Sequence, residues 1–224
     1  REIPPRKKNI ILAMEAFQNR HQRHVDDFLE GTLGESEFLE KTDYLNTWGF
    51  NWHNYRTLLY FAKENKLPVL AINSGETGQK KSLEKRDELA AKILSASMQK
   101  NPRALHLVHF GDLHVAENHL PKEVSRRTEL AADALIIFQN SETIYWELVN
   151  RGIEEHAEFI EMEAGKKYCI MNSTPWIKLQ SFQNWIEIGE EVLCKNQLLI
   201  PYDEKEESLF DYQLHIDELI TKIA

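Results

Sequence analysis

The amino-acid sequence predicts an α/β protein: a central, mostly parallel sheet flanked by helices, with an antiparallel hairpin added in the C-terminal third. Three observations predict it. Short apolar runs at residues 10–14, 68–72, 105–110 and 134–138 have strand length and alternate with longer stretches of helical period. The first run is apolar throughout, the pattern of a strand covered on both faces. Late in the chain, residues 158–162 and 167–171 flank Ala164-Gly165, a turn signal between two strand-like runs.

The elements follow in order. Residues 10–14 give the first strand. Residues 19–30 read as a helix, with Val25, Phe28 and Leu29 at helical spacing and Gly31 as its stop. Residues 35–41 give a short helix around Phe38 and Leu39. An aromatic loop, Trp48-Gly49-Phe50-Asn51-Trp52, leads into a helix over 54–65. Its Tyr55, Leu58, Leu59 and Ala62 share one face at i, i+3, i+4 and i+7. The strand at 68–72 runs into a polar, glycine-containing loop over 73–80. A long amphipathic helix over 83–99 turns Leu89, Ile93, Leu94 and Met98 inward. The strand at 105–110 is stopped by Gly111. A helix over 123–132, the strand at 134–138 and a helix over 143–151 come next. After the hairpin, helices over 181–193 and 209–223 close the chain, the latter with Leu214, Leu219 and Ile220 as its buried stripe. The acidic stretch 203–208 reads as a solvated loop. One domain over residues 1–224 is the expectation.

Composition narrows the function classes. A chain of 224 residues can bury a sizeable core without staples. The net charge is −9, and the basic cluster Arg6-Lys7-Lys8 is too short to track phosphates, which argues against nucleic acid as a partner. No stretch is long and apolar enough to span a bilayer as a helix. The two cysteines, Cys169 and Cys194, do not make a disulfide framework. Cys169 lies among Tyr168, Ile170 and Met171 and reads as a buried, inert thiol. There is no glycine-rich phosphate loop, Cys-x-x-Cys pair or nucleophile elbow. That removes nucleotide enzymes, covalent c-type haem attachment and serine hydrolases of the usual kind.

In open parallel sheets, ligands bind beyond the carboxyl ends of the strands. Glu15 follows the first run, Asn73 and Ser74 the second, Gly111, Asp112 and His114 the third, and Gln139 and Asn140 the fourth. A parallel sheet therefore puts Glu15, Asn73 and His114 on one rim. Gly111 permits a tight turn, and His114, three residues on, points back over that rim. Imidazole titrates near neutrality and ligates metals, so it suits base or ligand roles. Glu15, Asp112 and His114 are the candidate catalytic residues, and Glu15 and His114 the candidate ligands of a divalent metal. With water as nucleophile, they would make a metal-assisted hydrolase.

Other clusters read more plainly. His21 and His24, with Asp27 a further turn on, are flanked by Arg20 and Arg23 and read as a solvated face, because a metal needs a third convergent ligand. His109 and His119 flank the Gly111–His114 turn without a diagnostic ligand spacing, and strand alternation turns His106 and His109 to opposite faces. Trp48, Phe50, Trp52 and Tyr55 read as ordinary packing or as a wall for a flat cofactor, in which a tyrosinate can ligate haem iron. The late hairpin and the Thr174-Pro175-Trp176 loop offer a third reading, a surface binding module exposing Gly165, Pro175 and Trp176.

Several of these residues stand together in a known pattern. Ile11-Leu12-Ala13-Met14-Glu15-Ala16-Phe17-Gln18 resembles the strand with Met-Glu-x-Phe of the ChaN-like family. Phe38-Leu39, the Asn46 to Trp52 segment, Tyr55-Arg56, Phe61-Ala62 and Val69-Leu70-Ala71-Ile72-Asn73 follow in that family's order. Gly111-Asp112-Leu113-His114-Val115-Ala116 and His119-Leu120-Pro121 are similar to its second signature. The resemblance implies a haem-associated, iron-regulated lipoprotein of the bacterial cell envelope. It implies haem as cofactor, Tyr55 as iron ligand, Trp48 beside it, and a homodimer. It extends to a superfamily with erythromycin esterases and TraB/Tiki-like proteins, whose shared site carries two Gly-x-x-His motifs and a glutamate; here Glu15 and Gly111–His114 would be the counterparts. The family's opening strand with Gly-Glu-x-His does not precede Ile10, so the expectation is an N-terminally incomplete domain with half of a two-histidine site.

Overall fold

A computed structural model describes residues 9–48, 50–75, 80–128, 134–177 and 179. The expected helices over 181–193 and 209–223, the acidic stretch 203–208 and Cys194 lie outside the described residues. The chain divides into two compact units, Arg1–Ala134 and Leu135–Ala224.

The first unit is an α/β layer structure. Strand β1 (Ile10–Gln18) lies between β2 (Val69–Asn73) and β3 (Leu105–His109), all parallel. Its central place explains its composition: a strand with neighbours on both edges and layers on both faces must be apolar on both sides. Every residue from Ile11 to Gln18 is buried. The sequence ends this strand at Met14, but the structure carries it four residues further. Met14 pairs with Ala71 and Gln18 with Asn73, so β1 spends more residues than β2 between those pairs. That irregularity is a bulge, and bulges re-aim side chains. Glu15 sits in it.

One face of the sheet is covered by α1 (Gln22–Glu30), α2 (Glu35–Lys41), α3 (Tyr44–Thr47) and α4 (Trp52–Glu64). Their apolar stripes enclose an aromatic core in which Phe38 meets Phe17, Phe28 and Trp52 at ring-centroid distances of 5.4, 4.8 and 5.9 Å. Gly31 ends α1 as expected, because only a residue at ease at φ 81° lets its N–H reach back to Asp27 and Phe28. Helix α4 starts at Trp52, earlier than periodicity suggests, since the Asn51 side chain caps it by accepting from the His53 N–H at 2.9 Å.

The opposite face packs on α5 (Lys80–Lys100) and α7 (Leu120–Arg127). Ala90, Ala91 and Leu94 are buried against Ala13, Ile72 and Phe110, while Leu89, Ile93 and Met98 are half-buried. Small side chains at 90 and 91 let the helix approach the sheet closely. The buried stripe of α5 also contains Asp87, 2% exposed, in a position that apolar periodicity passes over. A short helix α6 (Asp112–Val115) joins β3 to α7, and the residues expected to be helical beyond 128 fall in the stretch not described.

In the second unit, β4 (Ile136–Gln139) runs parallel to β6 (Lys167–Ile170), which pairs antiparallel with β5 (Phe159–Glu163). The expected hairpin forms, turning at Gly165 with φ 71°. Helix α8 (Glu142–Arg151) packs Leu148 with Cys169 and Met171. The Cys169 thiol is fully buried and rests 3.5 Å from the Met171 sulfur, as its apolar neighbours predict. Strand β4 thus belongs to a second, mixed sheet, and Gln139 and Asn140 end a strand of that sheet.

Candidate functional site

The β1 bulge, α5, α6 and the start of α7 bring five polar side chains into one chain of hydrogen bonds and ion-pair contacts. Glu15 receives Arg86 of α5 on Oε1 and the Gly111 backbone N–H on Oε2, the latter at 2.8 Å. Nε2 of His114 lies 3.5 Å from Glu15 Oε1. On its other side, His114 Nδ1 meets Asp87 Oδ1 at 2.6 Å, and Asp87 Oδ2 meets Nδ1 of His119 at 2.9 Å. Glu15, Asp87 and His114 are all buried, and an ionisable group is kept inside a protein only when paired or hydrogen-bonded. The His114 ring also stacks on Phe110, with centroids 4.0 Å apart and planes 22° apart.

The expected meeting of Glu15 and His114 is therefore present. Asp112 is exposed in the first turn of α6, and the carboxylate bonded to His114 is Asp87. Asn73 is buried, with its side chain accepting from the Gly75 N–H at 3.1 Å to close its own turn. Gly111 has φ −61° and ψ 153°, open to any residue, so the turn there does not require a glycine. Its value to the site is its N–H, aimed at Glu15.

Arg86, Asp87 and His119 were not assigned from the sequence. A carboxylate at the buried stripe of an amphipathic helix was the available signal for Asp87, since such a position is apolar unless a partner waits inside. Arg86 and His119 carry no local signal: an arginine on a helix and a histidine before one are ordinarily solvated.

Beside this chain stands the aromatic group. Tyr55 of α4 has the rings of Trp48, His109, Tyr44 and Phe50 around it at 5.8, 5.8, 6.3 and 6.4 Å. Phe50 is 55% exposed and His109 is exposed, so one side of the wall faces solvent. Burial raises the Tyr55 phenol above its ordinary value; the Trp48 indole pulls it back, and the negative charge of Glu15 adds to the rise. The phenol is thus held in its neutral form beside an electron-rich wall.

For a metal, the imidazole of His114 has both nitrogens turned to carboxylates, and Glu15 has both oxygens occupied by donors. Among the described residues no group of three or more His, Cys, Asp or Glu side chains is placed to hold a metal ion. The His21 imidazole is lowered by burial and then by the positive charges of Arg20 and His24, which outweigh the opposing pull of Asp43. No helix among the described residues is long and apolar enough to cross a membrane.

Residues 1–82 match the family described as haem-binding uptake, Tiki superfamily, ChaN. The matched segment contains Glu15, Trp48 and Tyr55 and ends before Asp87, Gly111, His114 and His119. No curated protein matches the chain, and no solved structure does.

Proposed function

We propose that this chain binds haem against the Trp48–Tyr55 wall, with the Tyr55 phenol oxygen as iron ligand. The observation that carries the reading is Tyr55 itself: a half-buried phenol walled by Trp48, Phe50 and His109, inside the segment that matches a haem-binding family. The donor set suits the group. A phenolate is a hard, anionic oxygen donor of the kind that holds ferric haem in catalase, and flat aromatic faces suit a porphyrin. Bound haem would supply the iron centre and its ligand chemistry. Trp48 and Phe50 would cover its apolar surface, and Tyr55 would give up its proton on ligation, so binding tightens as pH rises.

Optical titration of the full chain with ferric haem tests this. A Soret band that shifts on binding, and a changed spectrum in Tyr55→Phe, are expected. An unchanged Soret band in the wild-type chain sinks the reading, and an unchanged spectrum in Tyr55→Phe sinks the ligand assignment. The envelope location, a homodimer and the action of residues 1–224 as one domain belong to the same proposal. Cell fractionation, sedimentation of the haem-loaded chain and single-transition unfolding check them in turn.

The 2.6 Å bond between Asp87 and His114 favours a second reading, in which Glu15 and His114 perform acid–base chemistry on a small substrate, as a hydrolase. An ester and amide substrate panel, run with and without added divalent metals, is the test. Turnover lost in His114→Ala supports it; blank panels under every metal condition remove it.

A further inference from the structure

Asp87 belongs to no role assigned so far, yet it is the most buried ionisable group of the chain of contacts. We propose that Asp87 is a positioning residue that fixes a proton on Nδ1 of both His114 and His119. Each imidazole then exchanges its proton through Nε2 alone, His114 toward Glu15 and His119 on the α5–α7 side. The proposal rests on the acid–base reading of Glu15 and His114.

The carboxylate is 2% exposed and turns one oxygen to each ring, Oδ1 to His114 Nδ1 at 2.6 Å and Oδ2 to His119 Nδ1 at 2.9 Å. An ionised carboxylate only accepts hydrogen bonds, so both facing nitrogens carry hydrogen. This holds whether the ring is neutral or protonated; only the state of Nε2 differs between the two forms. The second ring nitrogen of a histidine is set by what the first one bonds, the usual second-layer control of imidazole chemistry.

The two rings differ in what surrounds them. His114 is shielded, its side chain 4% exposed, with its plane held by Phe110 and its Nε2 facing the Glu15 oxygen that Arg86 also holds. His119 is 31% exposed and lines a cleft of about 310 Å³ with Glu84, Glu88, Asn118 and Lys122. One carboxylate therefore organises a dry imidazole at the strand ends and a wet one at a charged cleft. Asp87 sets how both rings present their reactive nitrogen, and touches no reacting atom itself.

Long-range proton–nitrogen NMR of the ¹⁵N-labelled full chain, at a pH where the imidazoles are neutral, reads the tautomers directly. Both His114 and His119 are expected as Nδ1–H. In Asp87→Asn the side chain offers one acceptor oxygen and one donor NH₂. At most one ring can keep its Nδ1–H bond, and the other is expected to switch to the Nε2–H form. A wild-type His114 or His119 in the Nε2–H form overturns the proposal, as does an Asp87→Asn variant that keeps both as Nδ1–H. Should Asp87→Asn fail to fold, the wild-type spectrum and His119→Gln still decide: His114 stays Nδ1–H in that variant, and a switch there counts against Asp87 as its organiser. The tautomers can be as expected while every hydrolase assay is blank, in which case the acid–base reading fails and the positioning role stands.

Discussion

Removing the charge of Glu15 should destabilise the fold mainly by stranding Arg86. Glu15 is 7% exposed and the Arg86 side chain 18%, so neither charge is well hydrated. Breaking a buried ion pair by deleting one partner costs about 3–5 kcal/mol, because the other charge stays behind in a poor solvent. In Glu15→Gln an amide oxygen still accepts from the Gly111 N–H, and Arg86 keeps partial access to water, so the expected loss is about 2–3 kcal/mol. Glu15→Ala also orphans the Gly111 N–H, which adds roughly 1–3 kcal/mol. Arg86→Met leaves Glu15 with the Gly111 donor and His114 beside it. In a double-mutant cycle, Glu15→Gln and Arg86→Met should then couple by about 1.5–3 kcal/mol. Urea unfolding of the four proteins, with the slope of each transition checked, gives the number. A coupling below about 0.5 kcal/mol, the noise of independent sites, would show that the contact contributes nothing of its own.

Four further substitutions have expected outcomes. Tyr44 is 1% exposed and its hydroxyl has no hydrogen-bond partner among the described residues, so Tyr44→Phe should stabilise by about 1 kcal/mol in a thermal melt near neutral pH. Burial raises the Tyr44 phenol in the fold, so its contribution is fully present below the unfolded tyrosine value of about 10 and is lost as pH rises beyond it; Tyr44→Phe should flatten part of that alkaline decline in stability. Phe38→Ala empties the centre of a cluster in which Phe38 is wholly buried, and urea unfolding should read a loss of about 3–5 kcal/mol. Gly75→Ala should cost more than about 1 kcal/mol, since φ is +75° and a Cβ would lie 2.6 Å from the Gln18 side chain, whereas Gly111→Ala should shift stability by less than about 0.5 kcal/mol in the same assay.

Much of the fold was legible because periodicity is a local property. The strand at 69–73, the helix at 35–41, the Gly31 stop and the hairpin around Gly165 follow from residues within a turn or two of each other. The misjudged boundaries have non-local causes. Strand β1 continues to Gln18 because Asn73, distant in sequence, offers a partner beyond the bulge, and α4 begins early because a capping side chain outweighs the apolar stripe. Strand β4 looked like a continuation of the first sheet, since an apolar run does not say which neighbour it will pair with.

The candidate site divides the same way. The sequence by itself determined that Glu15 and His114 end apolar runs and that Tyr55 stands in an aromatic cluster, because strand ends and clustered rings are visible in order along the chain. Only the tertiary structure decided that Arg86, Asp87 and His119 complete a chain with Glu15 and His114 and that His114 is buried in it. The reason is physical. Glu15 is separated from Arg86 by 71 residues and Asp87 from His114 by 27, and a buried carboxylate and a solvated one are spelled with the same letter until packing removes the water from one of them.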